Sequence, residues 1–570
     1  MKKPVASGVL FTPAHYWGLM AILAIALSLL YAGLFRRDLV NLDGLPLLLR
    51  FFSASLHPDL SWEILQITWE SSLITLSYAV CGTVLSLGLG LVGGLLGSEV
   101  WWLMVVSDRR PLQPPPFWLG MRALLAFPRA IHELIWGLFF INLWGLDPLT
   151  AILAIAIPFG AIVAKVFSEI LDDTPRQPLQ ALLGIGVSPL KAICYSLLPQ
   201  AFLNLLSYAF YRFECSLRSA AVLGIIGAGG LGYQILPSLQ SLRYEQLWTF
   251  FYALFVLNGL VDFSSAWLRR DLGCASRMDL NLKRVVAPRP SQQQGKRWRQ
   301  AAGLEVVLIP YCFWYIHPDF SRLWSATTGQ RLAELYRASL PLDWSLVPQL
   351  VGLSLETVVM SILAIALASG GGLLLAFPAA HNRTSRKSQV VSRKAGLNPS
   401  RGTVAVANWW PLLGLLLARA VLLLTRAIPA PIWTLVVVFV LFPGIFPGAI
   451  ALGLHNLGIL GRLMAEVIEN MDRRPLEALK AQGAPASLVF FYGVLPLSLP
   501  RFIAYALYRW EVCMRETAIV GLAGGGGLGH LLTEQLSSFD YRGLVITLGC
   551  FLLLTFAVDW VSGSARRAVR

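Results

Sequence analysis

Residues 477–500 read EALKAQGAPASLVFFYGVLPLSLP, and residues 180–203 read QALLGIGVSPLKAICYSLLPQAFL. In both, a Gly (Gly483, Gly186) stands six residues after the first position, and a Leu-Pro pair (Leu495-Pro496, Leu198-Pro199) closes the segment. Glu477-Ala478-Leu479 and Gln180-Ala181-Leu182 are small or straight-chain residues that favour helix. Gly permits the turn that ends such a helix, and Pro suits the start of the next, where its missing N–H is tolerated. The pattern predicts a short helix, a turn and a long helix, written twice in one chain.

Outward from this segment the two halves stay in register. Arg129-Ala130-Ile131 returns as Arg426-Ala427-Ile428, Trp136 as Trp433, Glu169 as Glu466, and Gly229-Gly230-Leu231-Gly232 as Gly526-Gly527-Leu528-Gly529, each 297 residues on. The register holds to Tyr244, matching Tyr541, without a gap. Upstream, Glu70 and Glu356 are 286 apart, which predicts an 11-residue insertion in the second half. A repeat of this length fixes the architecture before any single motif does.

Hydrophobic residues make up 56% of the 570 and charged residues 14%, with mean hydropathy +0.64. Soluble domains carry about 25% charged residues, so the chain is an integral membrane protein, and disordered or coiled-coil readings are excluded. Apolar runs near 16–35, 66–97, 118–144, 148–168, 199–226 and 246–267, then 303–317, 350–378, 408–442, 445–465, 496–522 and 543–561, predict about twelve helices. The first run follows Met1-Lys2-Lys3 but is long for a signal peptide and lacks a small-residue cleavage site, so it reads as a retained span. Six spans per half return the chain to its starting side, which predicts a parallel repeat with a cavity between the halves. The first unit is 1–268, with its loop at about 172–198; the second is 301–570, with its loop at about 469–495.

The net charge of +15 would suit a nucleic-acid binder if it were spread over a surface. It is confined to a linker at 269–300, a loop at 381–401 and the last ten residues; the remainder nets minus one. Basic loops between apolar runs mark the cytoplasmic side, which places both termini there. The seven cysteines are scattered without CxxC spacing, so neither a disulfide framework nor a metal site is expected.

The repeated segment resembles the EAA loop of ATP-binding-cassette importer permeases. RAIPAPIW at 426–433, LHNLGILGRLMAEVIENMD at 454–472, YALYRWEVCMRETAIVGLAGGGGLG at 505–529 and FDYRG at 539–543 are similar to permeases of the phosphonate importer, PhnE, type and more loosely to methionine importer permeases. The resemblance implies an all-α type I importer membrane domain in a bacterial inner membrane. It also implies two ATPase subunits, one at each coupling loop, and an extracytoplasmic substrate-binding protein. The coupling residues would be Gln180, Ala181, Leu182, Gly186, Pro199, Glu477, Ala478, Leu479, Gly483 and Pro496. Gln180 departs from the family acid, and His132-Glu133 stands where the second half has Pro429-Ala430. The substrate class would be phosphonate, phosphite or phosphate.

No P-loop is present, because the lone Gly295-Lys296 is followed by Arg297; ATP and Mg would sit on the partner subunits. No catalytic grouping or cofactor site is visible, and Gly227–Gly232 and Gly524–Gly529 follow apolar runs, not strands, which argues against dinucleotide binding. Buried charge is the remaining signal, since ionisable residues at bilayer depth cost a few kcal/mol. Arg212, Glu214 and Arg218, with Arg509, Glu511 and Arg515, fall 13–19 residues after the fifth-span prolines, toward the outer side. The spacing puts Glu214–Arg218 and Glu511–Arg515 each on one helix face, which reads either as a structural ion pair beside an Arg that snorkels or, if the substrate is a phosphorus oxyanion as the resemblance implies, as arginines that donate to it. Lys165 with Glu169 and Arg462 with Glu466 would brace the coupling loops. A secondary carrier with six-plus-six parallel repeats and an uncoupled channel are the competing classes; neither has a use for two docking loops.

Overall fold

Asp147 accepts the Leu149 N–H (2.8 Å) and Pro148 follows it, so the fourth-span helix Pro148–Asp173 starts at a side-chain cap. Its counterpart Ile445–Glu469 starts after Gly444, at φ +148. The computed structural model describes residues 13–33, 40–105, 116–271, 307–380, 410–472 and 474–569. Met1-Lys2-Lys3, most of the predicted linker (272–300) and the basic loop 381–401 lie outside the described residues. Among the described residues every regular element is helical, apart from an isolated bridge between Val40 and Leu441.

Among the described residues eight helices are long and apolar enough to cross a bilayer, or ten spans if each bent pair counts as one. The predicted run 118–144 is two helices, Pro116–Ala130 and Glu133–Trp144, bent by 83°, and 408–442 likewise breaks between Trp410–Ala427 and Ala430–Val437, by 97°. At the first elbow His132 Nδ1 accepts the Leu134 N–H, which restarts the helix; at the second, Pro429 disfavours helix in the residue before it. The predicted spans 16–35 and 303–317 become shorter apolar helices, Tyr16–Tyr31 and Val307–Ile316.

Two compact units form, and they cut across the sequence repeat. One holds residues 49–342 and 539–542; the other holds 1–48, 343–538 and 543–570. In the first, the second-span helix Trp62–Gly97 lies along the fourth, and the core joins Tyr78, Cys81, Phe140, Ile155 and Leu217. Cys312, from the opening helix of the second half, is 1% exposed in that same core. In the other unit, helix Pro13–Tyr31 packs on the second-span helix Val347–Ala379, setting Leu29 against the cluster of Val359, Met360 and Val520. Each core thus incorporates the opening helix of the opposite half.

The second spans also revise the repeat register. Thr75 and Thr357 make the same bond, accepting Leu231 N–H and Leu528 N–H at 2.9 Å each, and both stand 22 residues before the end of their helices at Gly97 and Ala379. Equivalent residues here are 282 apart, not the 286 of Glu70 and Glu356, and the insertion is 15 residues, not 11. A four-residue slip is close to one helical turn and leaves the apolar face unchanged, so sequence pattern alone does not detect it.

Candidate functional site: predicted coupling loops and buried charges

The predicted coupling segments form helices Gln177–Gly184 and Arg474–Ala481. Each ends in the same bonded turn: Gly186 N–H to Leu183 O and Val187 N–H to Leu182 O in one, Gly483 N–H to Lys480 O and Ala484 N–H to Leu479 O in the other. The glycines sit at φ +86 and +82, the left-handed position that closes such caps and excludes branched side chains. Leu179 is fully buried against Ala192, Ile193 and Leu197, which fixes the helix, while Gln180, Ala181, Glu477 and Ala478 are exposed and Leu182 and Leu479 half-buried. Ile185, Tyr195, Phe491 and Tyr492 add exposed apolar surface beside the turn, so the loop offers a knob that is apolar at its edges.

Pro199 and Pro496 do not open the fifth spans as the sequence predicts. The helices begin ten and nine residues earlier, as Pro189–Ala228 and Ser487–Leu522, and reach the prolines through π turns at Ile193–Leu197 and Phe490–Val494. A wider turn accommodates a residue with no N–H to give and a ring that clashes with the preceding turn.

The buried charges pair differently from the expectation. Glu214, 2% exposed, accepts from Ser265 Oγ (2.6 Å) and pairs with Arg269 Nη2 (3.3 Å), on the sixth-span helix Tyr244–Asp271. Glu511 pairs with Arg566 Nη2 (2.6 Å) on helix Tyr541–Val569. Arg218 and Arg515 give Nε–H to the backbone carbonyls of Glu214 (3.5 Å) and Glu511 (3.3 Å). Arg212 lies against Phe159, near the middle of Pro148–Asp173, and Arg509 against Asn456, near the middle of Ile445–Glu469, so the charges sit near mid-bundle and not toward the outer side that counting from Pro199 suggests.

The two inner arginines have different surroundings. Arg509 gives Nε–H to Asn456 Oδ1 and pairs with Glu516 (2.6 Å), while Asn456 Nδ2 also donates to Glu516 (2.9 Å). At the equivalent positions the first half has Phe159 and Ser219: Arg212 lies over the Phe159 ring, 3.7 Å from its centroid, and Ser219 donates to Glu133 (2.6 Å). Glu133 also meets His132 at 3.2 Å. Each half sets one carboxylate against the fifth span, Glu133 from the third-span elbow in one and Glu516 from the fifth span itself in the other. Of the predicted braces, Arg462–Glu466 closes at 3.0 Å and Lys165–Glu169 at 4.0 Å.

Sequence reasoning missed Arg269, Arg566, Asn456 and Glu516. The first two carried a signal: carried past Tyr244, the 297-residue register aligns Asp262, Ser265 and Arg269 with Asp559, Ser562 and Arg566. Asn456 and Glu516 break the register, so the repeat pointed away from them.

An all-helical duplicated membrane chain with two capped coupling loops is a transport component, not an enzyme: a permease of the ATP-binding-cassette importer class. The family model for the binding-protein-dependent transport system inner membrane component matches residues 112–273 and 408–570, and the chain belongs to that family. It is similar to the phosphate-import permease protein PhnE of Mycolicibacterium smegmatis, 26% identical over 469 residues, covering 81% of this chain and 80% of the relative. It is also similar to the phosphite transport system permease protein PtxC of Stutzerimonas stutzeri, 30% identical over 276 residues, 47% of this chain and 90% of the relative. A solved inward-facing structure of the MetNI methionine transporter aligns at 21% identity and a TM-score of 0.32, covering 37% of this chain and 98% of that one. Family membership sets aside the secondary-carrier and channel readings.

Proposed function

We propose that the chain is the membrane subunit of an ATP-driven, binding-protein-dependent importer for phosphonate or a related phosphorus oxyanion, phosphite or phosphate. Two ATPase subunits carry ATP and Mg and dock on the two coupling helices, and a binding protein delivers the ligand on the opposite side. The chain lies in a bacterial inner membrane with both termini cytoplasmic. The carrying observation is the doubled coupling turn, identical in its bonds at Gly186 and Gly483. Relatives named for phosphate and phosphite transport support the substrate class.

Glu214, Glu511 and Arg509 act as braces in this reading, given their partners on neighbouring helices and, for Arg509, Asn456 and Glu516. Arg212, Arg218 and Arg515 are the donors offered to the anion, whose oxygens suit the guanidinium fork. The test is phosphorus uptake by a strain lacking the chain, with and without it restored, on methylphosphonate, phosphite or phosphate as sole source. Restored uptake of one of these, lost again in Arg212→Leu, supports the reading. No uptake of any of the three, with an ATPase co-purifying, removes the phosphorus assignment.

A further inference from the structure

Both halves carry the same three-way contact beside the coupling loop. Arg122 gives Nε–H to the Gly97 carbonyl (3.1 Å), at the end of the second-span helix, and pairs with Asp172 (3.4 Å) at the end of the fourth. Arg419 repeats it with the Ala379 carbonyl (3.0 Å) and Glu469 (2.7 Å). The acid changes from Asp to Glu, yet the helix ends tied together are the same. A guanidinium suits this post: it satisfies a last-turn carbonyl, complements the negative helix end and fixes a carboxylate at once. Four residues separate each acid from its coupling helix, Asp172 from Gln177 and Glu469 from Arg474. In the first half Arg176, just before the coupling helix, also reaches Glu99 (4.0 Å) on the short helix that follows the second span.

The other end of each second span is equally engaged. Thr75 and Thr357 hold the Leu231 and Leu528 N–H groups where the Gly-rich turn enters its following helix. From threonine to clamp is 22 residues in both halves, about 33 Å of helix and so about the thickness of the hydrocarbon. We propose that each second-span helix is a rod that carries coupling-loop movement across the membrane to the Gly-rich turn, with Arg122 and Arg419 gripping one end and Thr75 and Thr357 the other. These four are positioning residues, and the proposal rests on the importer reading above.

The test uses the full chain purified with its ATPase, in vesicles, and reads hydrogen exchange with and without ADP–vanadate. In the unmodified chain, trapping alters exchange at 470–484 and also at 524–530. In Arg419→Leu and in Thr357→Val, 470–484 still responds while the response at 524–530 falls at least fivefold. The double variant loses no more than the worse single, because both cut one rod. Residues 227–233, served by the unaltered Arg122 and Thr75, keep their response and report on folding. An undiminished response at 524–530 in either variant overturns the rod alone. If no ATPase accompanies the unmodified chain, the importer reading fails and the rod with it.

Discussion

Replacing Arg269 by Leu removes the cation facing Glu214 at 3.3 Å, where the two side chains are 8% and 2% exposed. At an effective dielectric of 20 their attraction is about 5 kcal/mol, and stranding one member of a buried pair costs about 3–5 kcal/mol. Ser265 still donates to Glu214, so the lower part of that range applies if the hydroxyl alone stabilises the carboxylate. At about 2 °C per kcal/mol for a unit of this size, the thermal midpoint falls about 6–10 °C. Neutralising both partners, as E214Q/R269M, removes the stranded charge and recovers at least half of that loss. The second-half pair provides a graded comparison: Arg566 is 25% exposed, so Arg566→Leu lowers the midpoint less. Fluorescence-detected thermal unfolding in detergent measures all four. A midpoint for Arg269→Leu equal to the unmodified chain, or a double variant no better than the single, refutes the buried-pair reasoning.

Three further substitutions test other contacts. Gly483→Val forces a branched residue into the left-handed turn, at about 1–2 kcal/mol; the chain still inserts, and ATPase recovered on a tagged chain drops. Glu516→Ala leaves Arg509 and Asn456 without their carboxylate, lowering the midpoint by an amount that Arg509→Met largely restores when added. At Gly529 a Cβ would come within 2.7 Å of the Ala518 backbone, so Gly529→Val abolishes the monodisperse peak in size-exclusion chromatography, whereas Gly549→Ala, with open space around it, does not.

Much of the architecture is legible in the sequence because duplication repeats it. Gly186 and Gly483 stand where a left-handed turn is needed, and hydropathy alone locates the helices. The elbows at His132 and Pro429 are not legible by hydropathy, since each helix pair averages apolar across its break despite Arg129, His132 and Glu133 at the first and Arg426 at the second. The partner of Glu214 was misassigned because spacing along one helix is visible in sequence, whereas a contact to a helix 55 residues later is not. Asn456 and Glu516 are invisible for the opposite reason: they occur where the halves differ, so a method that searches for sameness passes over them.

The exchanged opening helices set a schedule for biosynthesis. Helix Pro13–Tyr31 is synthesised long before the helix it packs on, which begins at Val347. At synthesis speeds of about 5–20 residues per second, it waits about 16–60 s for that partner to be made. During that interval Leu29 and its neighbours face lipid or an insertion chaperone in place of their final neighbours. Helix Val307–Ile316 has no such delay, because the other buried residues of its core, Tyr78 to Val261, precede it in the chain. A ribosome stalled after the first half would therefore leave helix Pro13–Tyr31 without the partner it packs on and the first core without Cys312.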